Sequence, residues 1–321
     1  MLYPFLKILS RLALPIWCRH IIINKPELLK IEGPVLLACN HPNSFLDSVL
    51  LDTVFKPSIW SLARGDVFKK PFYIRLLTAL KILPVYRTSE GAENLSENYK
   101  TFETCMKIFR DKGVIMIFSE GKCINEWHLR PLKKGTARLA LKAWEENIPL
   151  KVLPVGINYS SFQRFGKNIF INFGEIINKE DFDLTEPDGL RHQSFNHKLK
   201  GQLEQLVFEI PKTDKPKQKE LLEIRPSLFK KILLAIPAAA GWTVHTPLFW
   251  PVKKITWKRT HHNDHFDSFM TGILLFVYPV YLLLIITTVW LITKCWWVFF
   301  LLLILPFTAW SYTQLKAQLD K

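Results

Sequence analysis

Residues 34–55 read PVLLACNHPNSFLDSVLLDTVF, and this stretch decides the fold class. Its first six residues form an apolar run of strand length, and its last twelve space their apolar residues as a helix does. Pro42 disfavours helical geometry at His41, so the strand must lead into a turn before the helix begins. Asn43 or Ser44 is a suitable N-cap for that helix. The stretch therefore predicts a strand–turn–helix unit.

The same alternation continues as far as residue 210. Further apolar runs of strand length lie at residues 59–63, 82–86, 114–118 and 152–157, and segments of helical spacing with charged faces lie at 90–111, 133–146 and 193–209. Strands that alternate with helices predict an α/β fold with a largely parallel sheet flanked by helices on both faces. We expect residues 168–173 to add an edge strand.

Two long apolar segments lie near the C-terminus. Residues 269–292 are 24 residues without a charge, and a helix needs ~20 apolar residues to cross a bilayer core. Residues 295–312 add 18 uncharged residues with tryptophans near their ends, as at membrane interfaces. These segments predict a two-helix transmembrane hairpin; the alternative is a buried hydrophobic hairpin of a soluble domain. Basic residues flank the hairpin on both sides, so the positive-inside rule predicts an integral membrane protein with its large N-terminal region in the cytoplasm.

The chain is expected to divide into four parts, namely an amphipathic N-terminal segment, an α/β domain, a solvated linker and a membrane module, at residues 1–30, 31–210, 211–228 and 229–321. The first part holds apolar residues at helical spacing and is expected to associate with the membrane surface. A helix that faces the core of the domain is the alternative for it. Residues 230–250 are apolar but are broken by Pro237 and Gly241, so we do not predict a span there.

Charge and cysteine content limit the partners. The formal net charge is +15, and no helix-turn-helix, zinc finger or aromatic RNA-binding pattern accompanies it, so nucleic acid is not an expected partner. Much of the basic excess lies between residues 212 and 259, beside the apolar tail, which favours anionic lipid headgroups. Five scattered cysteines without a CxxC pair argue against a disulfide framework or a structural zinc site. The histidine-rich residues 261–265 fit no zinc spacing, and we predict no metal site.

His41 and Asp47 are the candidate catalytic pair. His41 would stand in the strand-to-helix turn, and Asp47 would lie one turn inside the helix, able to fold back beneath it. A carboxylate that accepts a hydrogen bond from Nδ1 fixes the imidazole tautomer and leaves Nε2 as a general base. By itself the pair is weak evidence, because hydrogen-bonded His–Asp pairs also serve structure alone.

Three further blocks follow this one in the order of a known family. NHPNSFLD at residues 40–47 is followed by LPVYR at 83–87, IFSEGK at 117–122 and VLPV at 152–155. Together they resemble the four motifs of the PlsC-type glycerolipid acyltransferases, the 1-acylglycerol-3-phosphate acyltransferase family, over about residues 31–175. The family's first motif usually has four residues between histidine and aspartate, whereas this chain has five, so the turn must absorb one more.

The resemblance implies an acyltransferase catalytic domain over residues 31–210 and an acceptor site in the third motif. Glu120 would bind glycerol oxygens and Gly121 would permit close backbone approach, with Ser119 and Lys122 standing where the family usually has proline and threonine. Arg87 follows a predicted strand at the sheet edge where α/β folds bind ligands. Its guanidinium fits a phosphate, so Arg87 is the predicted acceptor-phosphate residue, with Lys122 in support. A surface arginine paired with Glu90 is the alternative.

We therefore predict transfer of a fatty acyl group from acyl-CoA or acyl-carrier protein to the hydroxyl of lysophosphatidate or glycerol-3-phosphate, without a cofactor. Another lysolipid or an amine-bearing lipid is the alternative acceptor. A catalytically silent membrane-anchored scaffold is the alternative of another class, and a hydrolase is a third, although no GxSxG nucleophile elbow supports a serine version. Acyl-chain length, the donor carrier and the oligomeric state are not predicted.

Overall fold

The computed structural model describes residues 2–86 and 95–320. One sheet of seven strands runs in the order β1-β7-β6-β2-β5-β3-β4. Its strands are β1 Cys18–Ile23, β2 Val35–Cys39, β3 Ile59–Arg64, β4 Ile82–Val85, β5 Val114–Phe118, β6 Lys151–Tyr159 and β7 Lys167–Phe173. All neighbouring strands are parallel except β6 and β7, so the predicted α/β fold with a largely parallel sheet is confirmed.

Helices cover both faces of this sheet. They are α1 Leu2–Trp17, α2 Phe45–Val54, α3 Pro71–Ala79, α4 Leu95–Arg110, α5 Gly135–Glu145, α6 Asp188–Leu206, α7 Lys215–Leu222, α8 Leu228–Thr260, α9 Phe266–Thr293 and α10 Leu301–Leu315. One hydrophobic core joins α4, α5 and α6 to the sheet, and the other joins α2 and the start of α9 to the opposite face. The buried strands are rich in Val, Leu and Ile, as parallel strands covered on both faces must be.

The position of the last predicted strand differs from expectation. Residues 168–173 do form a strand, β7, but the prediction that it lies at the edge is wrong because β1 pairs outside it. β1 comes from residues 18–23, which the sequence placed in the membrane-associating N-terminal segment. Arg19 and His20 interrupt its apolar pattern, which is why periodicity did not predict a strand there. The sheet therefore begins before residue 31.

Helix α1 attaches to the domain through its polar residues. Tyr3 donates a hydrogen bond to Asp52 at 2.5 Å, and Lys7 and Arg11 donate to main-chain carbonyls near the end of α2. The apolar side chains of Phe5, Ile8 and Leu12 are in consequence exposed. A helix with one docked polar face and one bare apolar face is suited to lie in a membrane interface.

The segment expected to be a solvated linker is partly ordered. Residues 215–222 form α7, with Asp214 as an N-cap that accepts a hydrogen bond from the N–H of Lys217 at 3.0 Å. Leu222 and Gln218 on this helix are buried, so the segment packs against the domain rather than crossing solvent. Because prolines and lysines dominate the local composition, the sequence alone predicts an exposed linker and gives no sign of this packing.

Three helices among the described residues are long and apolar enough to cross a membrane. They are Leu228–Thr260, Phe266–Thr293 and Trp296–Leu315. The last two match the predicted spans near 269–292 and 295–312. The first is an addition: Pro237, Pro247 and Pro251 lie within one continuous helix, where the sequence suggested interruption. Prolines are tolerated when neighbouring groups satisfy the freed carbonyls.

Candidate active site

The carboxyl ends of three adjacent strands meet at one edge of the sheet. β2 is hydrogen-bonded to β5 on one side and to β6 on the other, and all three are parallel. His41 follows β2, Ser119 and Glu120 follow β5, and Tyr159 ends β6. The first and third sequence blocks are therefore brought together by the register of parallel strands, at the edge where open α/β sheets bind ligands.

The turn between β2 and α2 brings His41 and Asp47 together despite five intervening residues. His41 Nδ1 lies 2.9 Å from Asp47 Oδ2. Ser44 makes the reversal with φ 53° and ψ −141°, just before α2 begins at Phe45. Residues with a side chain rarely adopt that conformation, which costs about 1–3 kcal/mol and persists only where surrounding contacts hold it. The extra residue is thus absorbed in the turn.

Asp47 is fully buried, and three hydrogen bonds fix its carboxylate. Besides the contact with His41, Oδ2 accepts from the N–H of Asn43 at 2.8 Å, and Oδ1 accepts from the hydroxyl of Tyr159 at 2.8 Å. A carboxylate acceptor makes Nδ1 of His41 the donor, so Nε2 keeps its lone pair. The imidazole stacks on Phe118 with centroids 3.9 Å apart and stays 18% exposed. This arrangement is suited to a general base.

Tyr159 is a site residue that the sequence did not suggest. Burial, together with the charge of Asp47, holds the pKa of Tyr159 well above its ordinary value, so the phenol stays protonated and donates. It comes four residues after the VLPV block, on the strand beside β2. A tyrosine at the carboxyl end of an apolar strand was the only signal, and its partner becomes evident only from strand order.

Glu120 connects the third block to the first. Its Oε2 accepts from the N–H of His41 at 2.8 Å, and its Oε1 accepts from the N–H of Arg130 at 2.9 Å. Burial raises the pKa of Glu120, and the two N–H bonds oppose that rise. Because both oxygens already hold main-chain donors, Glu120 orders the backbone of the candidate base. Contact with glycerol oxygens stays a prediction for it.

The other third-block residues divide between the interior and the surface. Ser119 is buried, and its hydroxyl accepts from Thr136 at 2.9 Å. Gly121 has φ 65°, and a Cβ there would lie 3.1 Å from Cγ of Lys133, so glycine suits this turn on both counts. Lys122 is exposed. Their predicted roles in acceptor binding stay predictions.

Arg87 lies outside the described residues, as does Glu90. β4 ends at Val85 and runs parallel to β3, which in turn is parallel to β5. The carboxyl end of β4 therefore faces the same way as that of β2. The prediction that Arg87 binds the acceptor phosphate rests on this topology and on the sequence alone.

The histidine-rich juxtamembrane segment contacts the turn that carries the candidate pair. Nδ1 of His265 lies 2.6 Å from the hydroxyl of Ser44, and Asn43 Nδ2 donates to Asp267 Oδ2 at 2.8 Å. Burial lowers the pKa of His265, so its ring is neutral near pH 7 and its Nδ1 can accept from Ser44. From sequence alone this segment is expected to be a solvated juxtamembrane turn rather than a metal site, so its contact with Ser44 is not predicted.

Comparison with known proteins supports the family resemblance that the four sequence blocks indicate. Residues 20–158 match the family model described as Acyltransferase. Glycerol-3-phosphate O-acyltransferase 2 of Saccharomyces cerevisiae is 26% identical over 163 residues, which is 48% of this chain and 22% of the yeast protein. A Caenorhabditis elegans protein, acl-2, whose name assigns it provisionally to the 1-acyl-sn-glycerol-3-phosphate acyltransferases, is 25% identical over 171 residues, 50% of this chain and 55% of its own length.

This chain thus spans only part of the length of either curated relative. The crystal structure of the 1-acyl-sn-glycerophosphate (LPA) acyltransferase PlsC from Thermotoga maritima is also similar, with a TM-score of 0.41 and 14% sequence identity over 64% of this chain and 79% of that one. The family match contains His41, Asp47 and the whole third block. The similarity to the Acyltransferase family model thus covers residues 20–158, the segment that holds the centre of the sheet and the candidate site.

Proposed function

We propose that this chain is a membrane-bound O-acyltransferase of glycerolipid synthesis, with His41 as its general base. The observation that carries the proposal is the 2.9 Å contact between His41 Nδ1 and the buried Asp47 carboxylate, inside the residues that match the Acyltransferase family model. The acyl donor would be acyl-CoA or acyl-carrier protein. The acceptor would be the hydroxyl of lysophosphatidate or glycerol-3-phosphate, in keeping with the names of the relatives.

An acyl thioester is already activated, so the reaction requires no enzyme nucleophile. His41 Nε2 takes the proton from the acceptor hydroxyl as that oxygen forms a bond to the thioester carbonyl carbon. The tetrahedral intermediate then expels the sulfur, the C–S bond breaks, and the thiolate receives the proton from Nε2. An ester and a free thiol result, and the base is regenerated. Asp47 favours the imidazolium that exists between the two proton transfers.

Acceptor recognition is proposed to need a cation near the third block. Lys122 is exposed two residues beyond Glu120, and Arg87 follows the end of β4 in sequence. Both lysophosphatidate and glycerol-3-phosphate carry a phosphate that a guanidinium binds bidentately. An unphosphorylated acceptor offers Arg87 no such partner, which makes this residue the means of separating the two acceptor classes.

In the proposed membrane arrangement, α9 and α10 cross the bilayer and α8 does not. The chain contacts the α/β domain on both sides of most of α8: Leu222, six residues before the helix, and Val252, in its last third, both pack in the core of the domain. A helix that crossed a ~30 Å hydrocarbon core would leave its ends on opposite sides. Both ends of α8 would thus stay on the side that holds the α/β domain, and all flanks of the hairpin would face the cytoplasm.

The path of the hairpin supports this arrangement. α9 begins beside the catalytic turn at Phe266 and reaches its far end near Lys294, where Trp296 and Trp297 are exposed. α10 then returns, and Arg19 of the α/β domain donates to the carbonyl of Thr313 at 2.9 Å. Exposed tryptophans at the turn of the hairpin match the aromatic belt of a membrane interface.

The test is an assay of the purified full chain with oleoyl-CoA and oleoyl-acyl-carrier protein, each offered with glycerol-3-phosphate or lysophosphatidate. We expect His41→Ala to lower kcat by ~10²–10⁴-fold, the usual contribution of a positioned base. His262→Ala, at an exposed histidine in the juxtamembrane loop, is the matched control and should retain wild-type kcat. Activity of His41→Ala close to wild type would reject His41 as the base. A wild-type protein inactive with every pair would favour the scaffold.

The acceptor class is tested by Arg87→Ala. A phosphate-bearing acceptor should show a KM raised by about tenfold or more, because a charge-assisted bidentate contact is lost. Arg110→Ala is the control, because it removes only a surface ion pair with Glu146, and such pairs contribute little. An unchanged KM in Arg87→Ala would favour an acceptor without a phosphate.

A further inference from the structure

The turn that carries His41 and Asp47 is held by side chains from the first turn of α9. Asn43 Nδ2 donates to Asp267 Oδ2 at 2.8 Å, and the N–H of Leu46 donates to the hydroxyl of Ser268 at 3.0 Å. That hydroxyl in turn donates to the carbonyl of Asn43 at 3.2 Å. Together with the contact between His265 and Ser44, residues 265–268 therefore form hydrogen bonds with Asn43, Ser44 and Leu46. These contacts join parts of the chain more than 200 residues apart.

Asp267 is the centre of this contact. It is buried and forms an ion pair with Lys167 of β7, which is also buried and lies 5.9 Å from the ring centroid of Tyr159. A carboxylate in the first turn of a helix that enters a membrane is costly unless paired. For stability alone, an apolar pair of similar volume would serve as well or better. The pair therefore calls for a reason beyond stability.

The turn between His41 and Asp47 has a strained backbone, and Asp267 contacts it through Asn43. Asn43 binds Asp267 with its side chain and Asp47 with its main-chain N–H, at 2.8 Å in both cases. The next residue, Ser44, has the strained φ of 53° that absorbs the fifth residue between His41 and Asp47. A strained turn holds its shape only if its surroundings over-determine it. Lys167 and Asp267 lie outside the residues that match the family model, so this support is supplied by other parts of the chain.

We propose that Asp267 is a positioning residue: from the start of α9 it holds Asn43, and so keeps the five-residue turn in the shape that places Asp47 against His41. The inference rests on the proposed function, because it assigns Asp267 to the alignment of the base. It makes the membrane hairpin part of the active site's support. The acceptor oxygen at position 267 is what matters, and the ion pair with Lys167 keeps that oxygen in place.

Two double variants isolate this oxygen. Lys167→Met with Asp267→Asn removes both charges but leaves a carbonyl oxygen for Asn43, whereas Lys167→Met with Asp267→Leu removes the oxygen as well. Asn and Leu have the same number and branching of side-chain heavy atoms, so leucine is the closest apolar match in shape. We call these double variants the asparagine pair and the leucine pair. The kcat of the leucine pair should be about tenfold or more below that of the asparagine pair, because a small misplacement of the base slows the chemical step. KM for donor and acceptor should agree within about threefold, because a positioning role acts on the chemical step.

The assay uses the full chain in detergent, oleoyl-CoA and the better used of glycerol-3-phosphate and lysophosphatidate. Tyr281→Phe is the control: it removes a 2.6 Å hydrogen bond from α9 to the carbonyl of Val244, about 21 Å along the helix from Asp267, and should leave kcat unchanged. Equal kcat in the two double variants would overturn the proposal. If the leucine pair fails to fold, Asn43→Ala removes the same bond from its other end, and wild-type kcat there would also overturn it.

His41→Ala, measured beside them, separates this inference from the proposed function. If His41→Ala retains activity, the base assignment fails whatever the double variants show. If His41→Ala is inactive and the two double variants agree, only the role of Asp267 fails.

Discussion

Replacement of Asp47 by asparagine removes the charge beneath His41 while the surrounding donors decide how the new amide lies. The N–H of Asn43 points at the Oδ2 position from 2.8 Å, so an amide NH₂ placed there would oppose another donor. The amide oxygen must therefore occupy the Oδ2 position, where it still accepts from His41 Nδ1. The NH₂ then faces the hydroxyl of Tyr159, which can turn and accept instead of donating. The structure thus predicts that Asp47→Asn keeps the tautomer of His41.

The expected fall in kcat follows from the weaker hydrogen bond that His41 makes to a neutral amide. A hydrogen bond to a charged group is worth about 1.5–3 kcal/mol, against about 0.5–1.5 kcal/mol for a neutral one. The difference, about 1–2 kcal/mol, lowers kcat by roughly 5–30-fold, since 1.4 kcal/mol corresponds to a factor of ten. If the tautomer were reversed, Nε2 would carry a hydrogen and could not act as a base. In a Ser-His-Asp triad, reversal of the histidine tautomer lowers kcat by ~10⁴-fold.

The assay is kcat of the purified variant under saturating donor and acceptor, with the ¹⁵N chemical shifts of the His41 ring as the readout of its tautomer. Asp52→Asn is the matched control, since Asp52 is the other aspartate of α2 and accepts from Tyr3 at 2.5 Å. We expect its kcat to equal that of the wild type. A fall of ~10⁴-fold in Asp47→Asn with a reversed tautomer would refute the argument from Asn43, and an unchanged kcat would refute a role for the charge.

Three further changes test the site. Tyr159→Phe removes one of three donors to a buried carboxylate and should lower the free energy of unfolding by about 1.5–3 kcal/mol, measured by thermal unfolding in detergent, while kcat falls only a few-fold because the bond to His41 remains. Gly121→Ala places a side chain at φ 65° and should cost about 1–2 kcal/mol of stability in the same measurement; no loss would mean that the turn adapts. Burial raises the pKa of Glu120, so the native state keeps this proton to higher pH than the unfolded chain. The stabilisation from that proton is complete below the ordinary glutamate pKa of about 4.3 and is lost as pH rises through the raised value. The pH profile of thermal unfolding should therefore be flatter across this window in Glu120→Gln, and an unchanged slope would assign the effect to another group.

Periodicity was sufficient to predict most of the fold. Five of the predicted strands occupy the centre of the sheet or its β4 edge, where apolar runs between charged helices are unambiguous. The pattern failed at β1, because a strand that contains Arg19 and His20 does not alternate in the way a half-buried strand should. The pattern also predicts no helix at α3, where the consecutive apolar residues Phe72, Tyr73 and Ile74 are exposed. Both failures occur where tertiary context overrides composition.

The candidate site was predictable only in its local part. The proximity of His41 to Asp47 follows from a proline-containing turn, and their proximity to Glu120 follows from parallel strand register. The long-range hydrogen bonds that complete the site do not follow in the same way. Tyr159 is 112 residues from Asp47, and Asp267 is 224 residues from Asn43. No period or propensity links such pairs, and with a single sequence their contact is known only from the folded chain.

The contacts of Asp267 also fix where the site stands relative to the lipid, under the membrane arrangement proposed above. An anchor alone would need only apolar surface, yet the first turn of α9 buries Asp267 and Ser268 against the catalytic turn. The side chain of Phe269, two residues after Asp267, is 50% exposed, and two residues correspond to about 3 Å along the helix. In that arrangement, apolar surface for the bilayer would begin almost at the level of Asn43, whose turn also carries the 53% exposed Phe45. In that arrangement, a base held at this level would meet an acceptor hydroxyl just beneath the lipid headgroup, so a lipid substrate would remain in its leaflet while it reacts.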